Sequence, residues 1–257
     1  MSDLGLTLRQ VRFTNKAFWR NPASVFFTFA FPLMFLVIFT SLLGSGTVVI
    51  GGVSIEQDRY YLVAMMTFAA ITACFTNLGM TVTYQRDSGL LKRIQGTPLP
   101  GWAYLVARVL HAIAVAVLLV IITIAFGVVV YGTSLPSGAD LARFVLIVLV
   151  GAGSFAALGL AVTSFVPNAE AAPAVVNAII LPLLFLSGIF IPLGDNAPLW
   201  IRTVGRVFPV KHFADAMRAS FYGTPFHFAW WDVLVVAAWG LVGLVVAARF
   251  FSWEPRR

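Results

Sequence analysis

Long apolar runs alternate with short polar segments along this chain. Six runs carry almost no charge: residues 25–43, 60–82, 109–131, 144–166, 175–191 and 229–248. A helix needs roughly 17–25 apolar residues to cross the hydrocarbon core of a bilayer, and each run reaches that length. The pattern predicts an all-α integral membrane protein with six transmembrane helices. The fifth run is the shortest and contains Pro182.

The polar segments have patterns of their own. Arg9, Arg12, Lys16 and Arg20 recur at helical spacing, with Leu4, Leu8, Val11 and Phe18 roughly opposite. Residues 1–21 therefore read as an amphipathic helix on the inner membrane surface, basic side to lipid phosphates. The plainer alternative is a frayed basic tail that only enforces topology. Asn21 and Pro22 supply a helix cap and a first-turn proline where the chain enters the membrane. Residues 192–228 are too polar to span and too apolar for a free loop. Ile201, Val204, Val207 and Phe208 repeat at helical spacing, as do Phe213, Ala216, Met217 and Phe221 after Pro209. Two short amphipathic helices lying in the outer leaflet satisfy this spacing.

Composition agrees with the runs. The chain is 60% hydrophobic and 11% charged, where a soluble domain carries about 25% charged residues. The net charge of +7 would point to nucleic acid in a soluble protein. Here it sorts by loop, and no nucleic-acid partner is expected. With both termini inside, eleven Lys and Arg lie on the cytoplasmic side and six outside, out of 17 in all. Basic residues favour the cytoplasmic side, so this orientation is expected. No cleavable signal is expected, because the first run is too long and starts too late, although small residues near Ser41 and Gly44 imitate a cleavage site. A single cysteine, Cys74, excludes an intrachain disulfide and disfavours a Cys/His metal site.

Some chemistries are missing. There is no G-x-x-x-x-G-K-[ST] loop, so no nucleotide site of that kind. There is no H-E-x-x-H and no carboxylate pair within one run. The apolar centres carry no ionisable group, the usual mark of ion-coupled transport. His111, one turn from Arg108, reads as structural rather than as a proton relay. Glu170 fits the start of the fifth span, stabilising the helix dipole, or else a partner contact. Asn77 and Asn177 read as interhelical amides or cavity residues. Phe26, Phe27, Phe29, Phe31 and Phe35 face lipid or line an apolar path. Gly151, Gly153 and Gly159 mark a close helix approach.

The largest inner connection, residues 83–101, contains Arg86-Asp87-Ser88-Gly89-Leu90-Leu91-Lys92-Arg93. Its acidic start, glycine, apolar pair and basic pair fit a short amphipathic helix under the bilayer. Among the connecting segments it is the sizeable one on which a cytoplasmic partner could push.

These residues resemble the permease subunits of type-2 ATP-binding-cassette exporters. Members carry an E-R-E-x-G-T-L-E/K-R-L-x-x-T-P stretch after the second span, matched by Gln85 through Pro98, with Gln85, Asp87 and Leu90 as departures. They also carry L-S-G-x-F-x-P at the end of the fifth span, matched by Leu186 through Pro192, and a proline-to-arginine stretch matched by Phe208-Pro209 through Arg218. The resemblance covers essentially the whole chain and implies one permease domain over residues 1–257. It implies a half-transporter in the cytoplasmic membrane of a prokaryote. A second permease copy and separate ATPase subunits would complete it; ATP and Mg would sit on those subunits, with no cofactor in this chain. Arg86, Asp87, Gly89, Leu90, Leu91, Lys92, Arg93 and Thr97 would form the ATPase-coupling helix. Phe35, Asn77, Asn177 and Ser187 would border the substrate path. The implied activity is export of hydrophobic or amphipathic drugs, antibiotics or lipids. A polysaccharide or glycolipid exporter of the same fold is the nearest alternative. An ion-coupled secondary transporter or a membrane-embedded biosynthetic enzyme would need polar clusters that the runs lack.

Overall fold

A computed structural model describes residues 3–43, 46–50, 52–193, 197–223 and 226–254. Gly44 lies outside the described residues, as do Arg256 and Arg257, two of the eleven basic residues expected on the cytoplasmic side.

The chain begins with α1 (Asp3–Trp19) and α2 (Pro22–Leu43). The junction forms as its residues predict: the Asn21 side chain accepts from the Ser24 amide at 3.2 Å, and Pro22 is the first residue of α2. Phe18 packs edge-on against Phe29 of α2 at 6.3 Å. Most of α2 is exposed; Phe26, Phe27 and Met34 point away from the chain's own core.

A hairpin follows that the sequence reading did not anticipate. β1 (Thr47–Ile50) and β2 (Val53–Glu56) pair antiparallel, with Thr47 opposite Glu56 and Ile50 opposite Val53. The signal was present: β-branched residues flank Gly51-Gly52, and paired glycines are a strong tight-turn cue. Gly52 takes a φ of +78°, which costs glycine little.

The centre of the molecule is a rod of 31 residues, Gln57–Asp87. It comprises α3 (Gln57–Ile71), a π-helical turn (Thr72–Thr76) and α4 (Asn77–Asp87). Nearly every residue from Tyr60 to Ile71 is buried. The π turn lies where α7 crosses. A Cβ at Gly159 would come within 2.8 Å of the Cys74 and Phe75 carbonyl oxygens, so only glycine allows this approach. Gly151 serves likewise, with the Phe213 ring filling the space of its missing side chain, whereas Gly153 faces open space. The expected glycine contact thus holds at two of the three positions.

α5 (Leu90–Gln95), α6 (Gly101–Tyr131) and α7 (Gly138–Thr163) come next, then α8 (Ala172–Leu186). Among the described residues, five helices are long and apolar enough to cross a membrane, and α8, with 15 residues, falls short of that length. The expected fifth span is thus an apolar helix shorter than its run, and helix length alone does not establish the count of six. The fifth run stops early because Gly188 adopts a φ of +78° and the chain turns back on itself. Ile189 and Phe190, expected in the span, are buried in that turn. The Tyr60 hydroxyl donates to the Gly188 carbonyl, and Tyr61 donates to that of Phe190 at 3.3 Å. Glu170 is exposed beside the start of α8 and makes no capping hydrogen bond there; the Asn168 side chain accepts from the Ala171 amide at 2.8 Å.

α9 (Leu199–Val207) and α10 (Pro209–Tyr222) match the two helices read from residues 192–228. α9 is amphipathic, with Leu199 and Trp200 exposed. α10 differs from expectation: it does not lie on the surface but inserts among α3, α7 and α11 (Trp230–Phe250), burying Val210, Phe213, Ala216 and Met217. Phe213 meets Phe155 of α7 at 5.4 Å. Backbone that deep must be internally paired, and a helix meets that demand.

Candidate functional site

The charged connection is a short helix pinned to the bundle. The rod ends at Asp87. Gly89, with a φ of +71°, reverses the chain, and its amide donates to the Arg86 carbonyl at 3.0 Å. α5 then runs for 6 residues. The Thr97 hydroxyl and amide both donate to the Ile94 carbonyl, at 2.7 and 2.9 Å, closing it. Pro98 and Pro100 lead into α6.

Arg86 is turned into the chain. It is 1% exposed, and its guanidinium donates to the carbonyls of Thr163 and Val166, both at 2.8 Å, and of Pro167 at 3.3 Å. These carbonyls close α7, where the helix dipole favours a cation. Asp87 accepts from the Ala169 amide at 2.7 Å. The two charges expected on the coupling surface therefore tie the end of the rod to the α7–α8 link. Leu91 is also fully buried, while Leu90 is 40% exposed, so the apolar pair splits between core and surface. Lys92, Arg93 and Thr97 are exposed. Lys92 pairs with Glu254 at 3.1 Å, and Gly101 faces the Trp253 ring. The exposed face of this element is thus Leu90, Lys92, Arg93 and Thr97, backed by Arg86, Asp87 and Leu91.

The residues assigned to a substrate path do not converge. Phe35 belongs to an aromatic cluster with Phe31, Phe68 and Phe190, at ring distances of 4.6 to 6.2 Å. Ser187 is buried and donates to the Leu184 carbonyl at 2.8 Å, so its hydroxyl is already satisfied. Asn177 is half-buried on α8. Asn77 lines a cavity of about 330 Å³ beside α1 and α6, whose walls include His111 and Arg108. His111 itself packs edge-on to Phe18 at 5.4 Å.

A second cavity, of about 690 Å³, opens at the other end of the bundle, lined by charged residues of α9, α10 and the start of α11. Sequence reasoning missed it, although Arg202, Arg206, Lys211, Asp215 and Arg218 recur there within a few helical turns. Asp215 accepts from Arg218 at 2.9 Å and pairs with Lys211 at 3.0 Å. His212, 7% exposed, bridges Asp232 at 2.6 Å and the Arg206 carbonyl at 2.8 Å. The hydrogen bond to Asp232 pushes the His212 pKa up. No cluster able to hold a metal ion occurs among the described residues.

Residues 7–222 match the model of a family described as ABC-2 type transporter. Among curated relatives, a transport permease named ycf38 from Porphyra purpurea is 24% identical over 88% of this chain and 76% of its own. A protein of Escherichia coli strain K12, named as the multidrug ABC transporter permease YbhR, is 25% identical over 69% of this chain but 48% of its own length. The daunorubicin resistance ABC transporter permease protein DrrB1 of Streptomyces coeruleorubidus is 26% identical over 93% of this chain and 80% of its own.

Proposed function

Because the chain belongs to the ABC-2 type transporter family, a family of membrane-embedded permease subunits, we propose that it is the translocating half of an ATP-driven exporter of hydrophobic or amphipathic compounds. One observation carries the reading. α5 presents Leu90, Lys92, Arg93 and Thr97 to solvent while Arg86 and Asp87 bind it to the ends of α7 and α8. A push on that face reaches the rod and α7 together. In this proposal ATP and Mg belong to separate ATPase subunits seated on α5, since the sequence offers no phosphate-binding loop. A second permease copy covers part of the exposed apolar surface of α2, and lipid covers the rest. Both termini and α5 face the cytoplasm of a prokaryotic cell, with α9 and α10 outside. The names of YbhR and DrrB1 support drug-like cargo, as does the aromatic cluster around Phe35, which would receive an apolar molecule with little desolvation cost.

The test is a cross-link. In a Cys74→Ala background, a cysteine placed at Thr97 should couple to a cysteine on a co-expressed P-loop ATPase encoded beside this gene. It should resist membrane-impermeant thiol reagents added to intact cells. Labelling from outside would reverse the orientation and remove α5 as the ATPase seat.

A further inference from the structure

Two arginines sit near the same end of the bundle with opposite fates. Arg86 is bonded to three carbonyls. Arg108, on α6, makes no hydrogen bond or ion pair to the described chain, and its Nε is buried without a partner. It lines the 330 Å³ cavity together with Thr14, Asn77, Thr81, Gln85 and His111. Thr14 Oγ1 is also buried and unpartnered. No Asp or Glu lines this cavity. It therefore offers one permanent cation, several neutral hydroxyls and amides, and no counter-charge.

Depth matters as much as chemistry. α6 has 31 residues, so at 1.5 Å each it is about 46 Å long, against a hydrocarbon core of roughly 30 Å. Its first turns must therefore project to the level of lipid headgroups, and Arg108 lies two turns from Gly101. α1, which forms one wall, exposes Leu4, Leu8 and Phe13, as a helix lying against a membrane surface would. Water could fill the cavity and satisfy the donors, but water does not neutralise a half-buried guanidinium. A phosphate-type oxyanion does both, because the planar fork of Arg accepts it through two parallel bonds.

We propose that this cavity binds the anionic headgroup of a membrane amphiphile, with Arg108 taking the phosphate and Thr14, Asn77 and Thr81 completing its hydrogen bonds. The inference goes beyond the transport reading: the site stands or falls on binding to the purified chain, whether or not an ATPase is present.

The experiment is native mass spectrometry of the full chain in neutral detergent, titrated with palmitoyl-oleoyl phosphatidylglycerol and with the matching phosphatidylcholine. The wild type should prefer phosphatidylglycerol by about tenfold or more, a difference of ~1.4 kcal/mol. Arg108→Gln should bring that preference to near parity, and Arg108→Lys should keep part of it. Thr81→Leu, which fills the cavity without changing charge, should weaken phosphatidylglycerol binding even if Arg108→Gln proves unstable. Arg206→Gln, at the other end of the bundle, should change nothing. Displacement by millimolar inorganic phosphate would overturn the lipid assignment in favour of a free anion. Equal binding of both lipids by the wild type, or a preference that survives both Arg108→Gln and Thr81→Leu in folded protein, would overturn the site.

Discussion

The two ends of the bundle bury charge in different ways. At the α5 end, Arg86 is held by backbone carbonyls that close α7. Arginine stays protonated and carbonyls do not titrate, so this latch is the same at any physiological pH. At the opposite end, α10 is clasped to α11 by His212 and Asp232 and to α3 by Arg218 lying 5.2 Å over the Tyr60 ring. One member of that clasp, His212, is titratable, and its pKa is raised by the hydrogen bond to Asp232. The difference separates two tasks. In the proposed transporter the α5 end would pass displacement on without yielding, whereas the α10 end is held by a bond whose strength depends on its surroundings.

Breaking the latch should have the largest effect. Arg86→Met leaves the carbonyls of Thr163 and Val166 without their charged donor in a closed site, at a cost of about 3 kcal/mol or more. Thermal unfolding in detergent should show a clear fall in midpoint, with Arg86→Lys intermediate because a single ammonium cannot serve the same fan of acceptors. An unshifted midpoint in Arg86→Met would mean that the latch contributes nothing.

The clasp should show itself through pH. Its folded-state pKa is raised, first by the hydrogen bond to Asp232. Its stabilisation is therefore fully present below the ordinary histidine value of roughly 6.5 and is lost as pH rises through the higher folded value. Midpoints measured across that window should decline. Asp232→Asn should cost about 1–2 kcal/mol on the acid side and flatten the decline. An equally steep decline in Asp232→Asn would place the titrating group elsewhere.

The smallest effect belongs to Lys92 and Glu254. Both side chains are mostly exposed, and such pairs contribute about 0–1 kcal/mol. Lys92→Ala should leave the midpoint nearly unchanged. A drop comparable to that of Arg86→Met would show that the C-terminal segment, not the α7 latch, positions α5.

The same contrast explains what could be read from the sequence. Five of the six apolar runs, the α1–α2 cap at Asn21 and Pro22, and the charged connection before α6 follow from local rules of length, capping and spacing. The fate of each charge does not. Arg86 and Lys92 stand six residues apart in one basic segment, yet the first is sealed inside and the second reaches solvent, because the Gly89 turn and the α7 terminus decide which way each points. Likewise, apolar spacing in 209–222 shows that α10 avoids water, but not whether lipid or protein covers it; Gly151 making room for Phe213 is visible only in three dimensions. α8 falls short because the turn at Gly188 meets Tyr60 and Tyr61, residues more than a hundred positions earlier.

The central claim is that the exposed face of α5 receives force and the Arg86 latch passes it to the spans. Leu90→Asp tests it most directly, because Leu90 is exposed while Leu91 behind it is part of the core. The measurement is substrate-stimulated ATP hydrolysis and transport by the reconstituted permease–ATPase complex, with thermal unfolding recorded on the same preparation. Both activities should fall by about tenfold or more, equivalent to at least ~1.4 kcal/mol of lost coupling, with the unfolding midpoint unchanged. Wild-type hydrolysis and transport in the folded Leu90→Asp variant would contradict it.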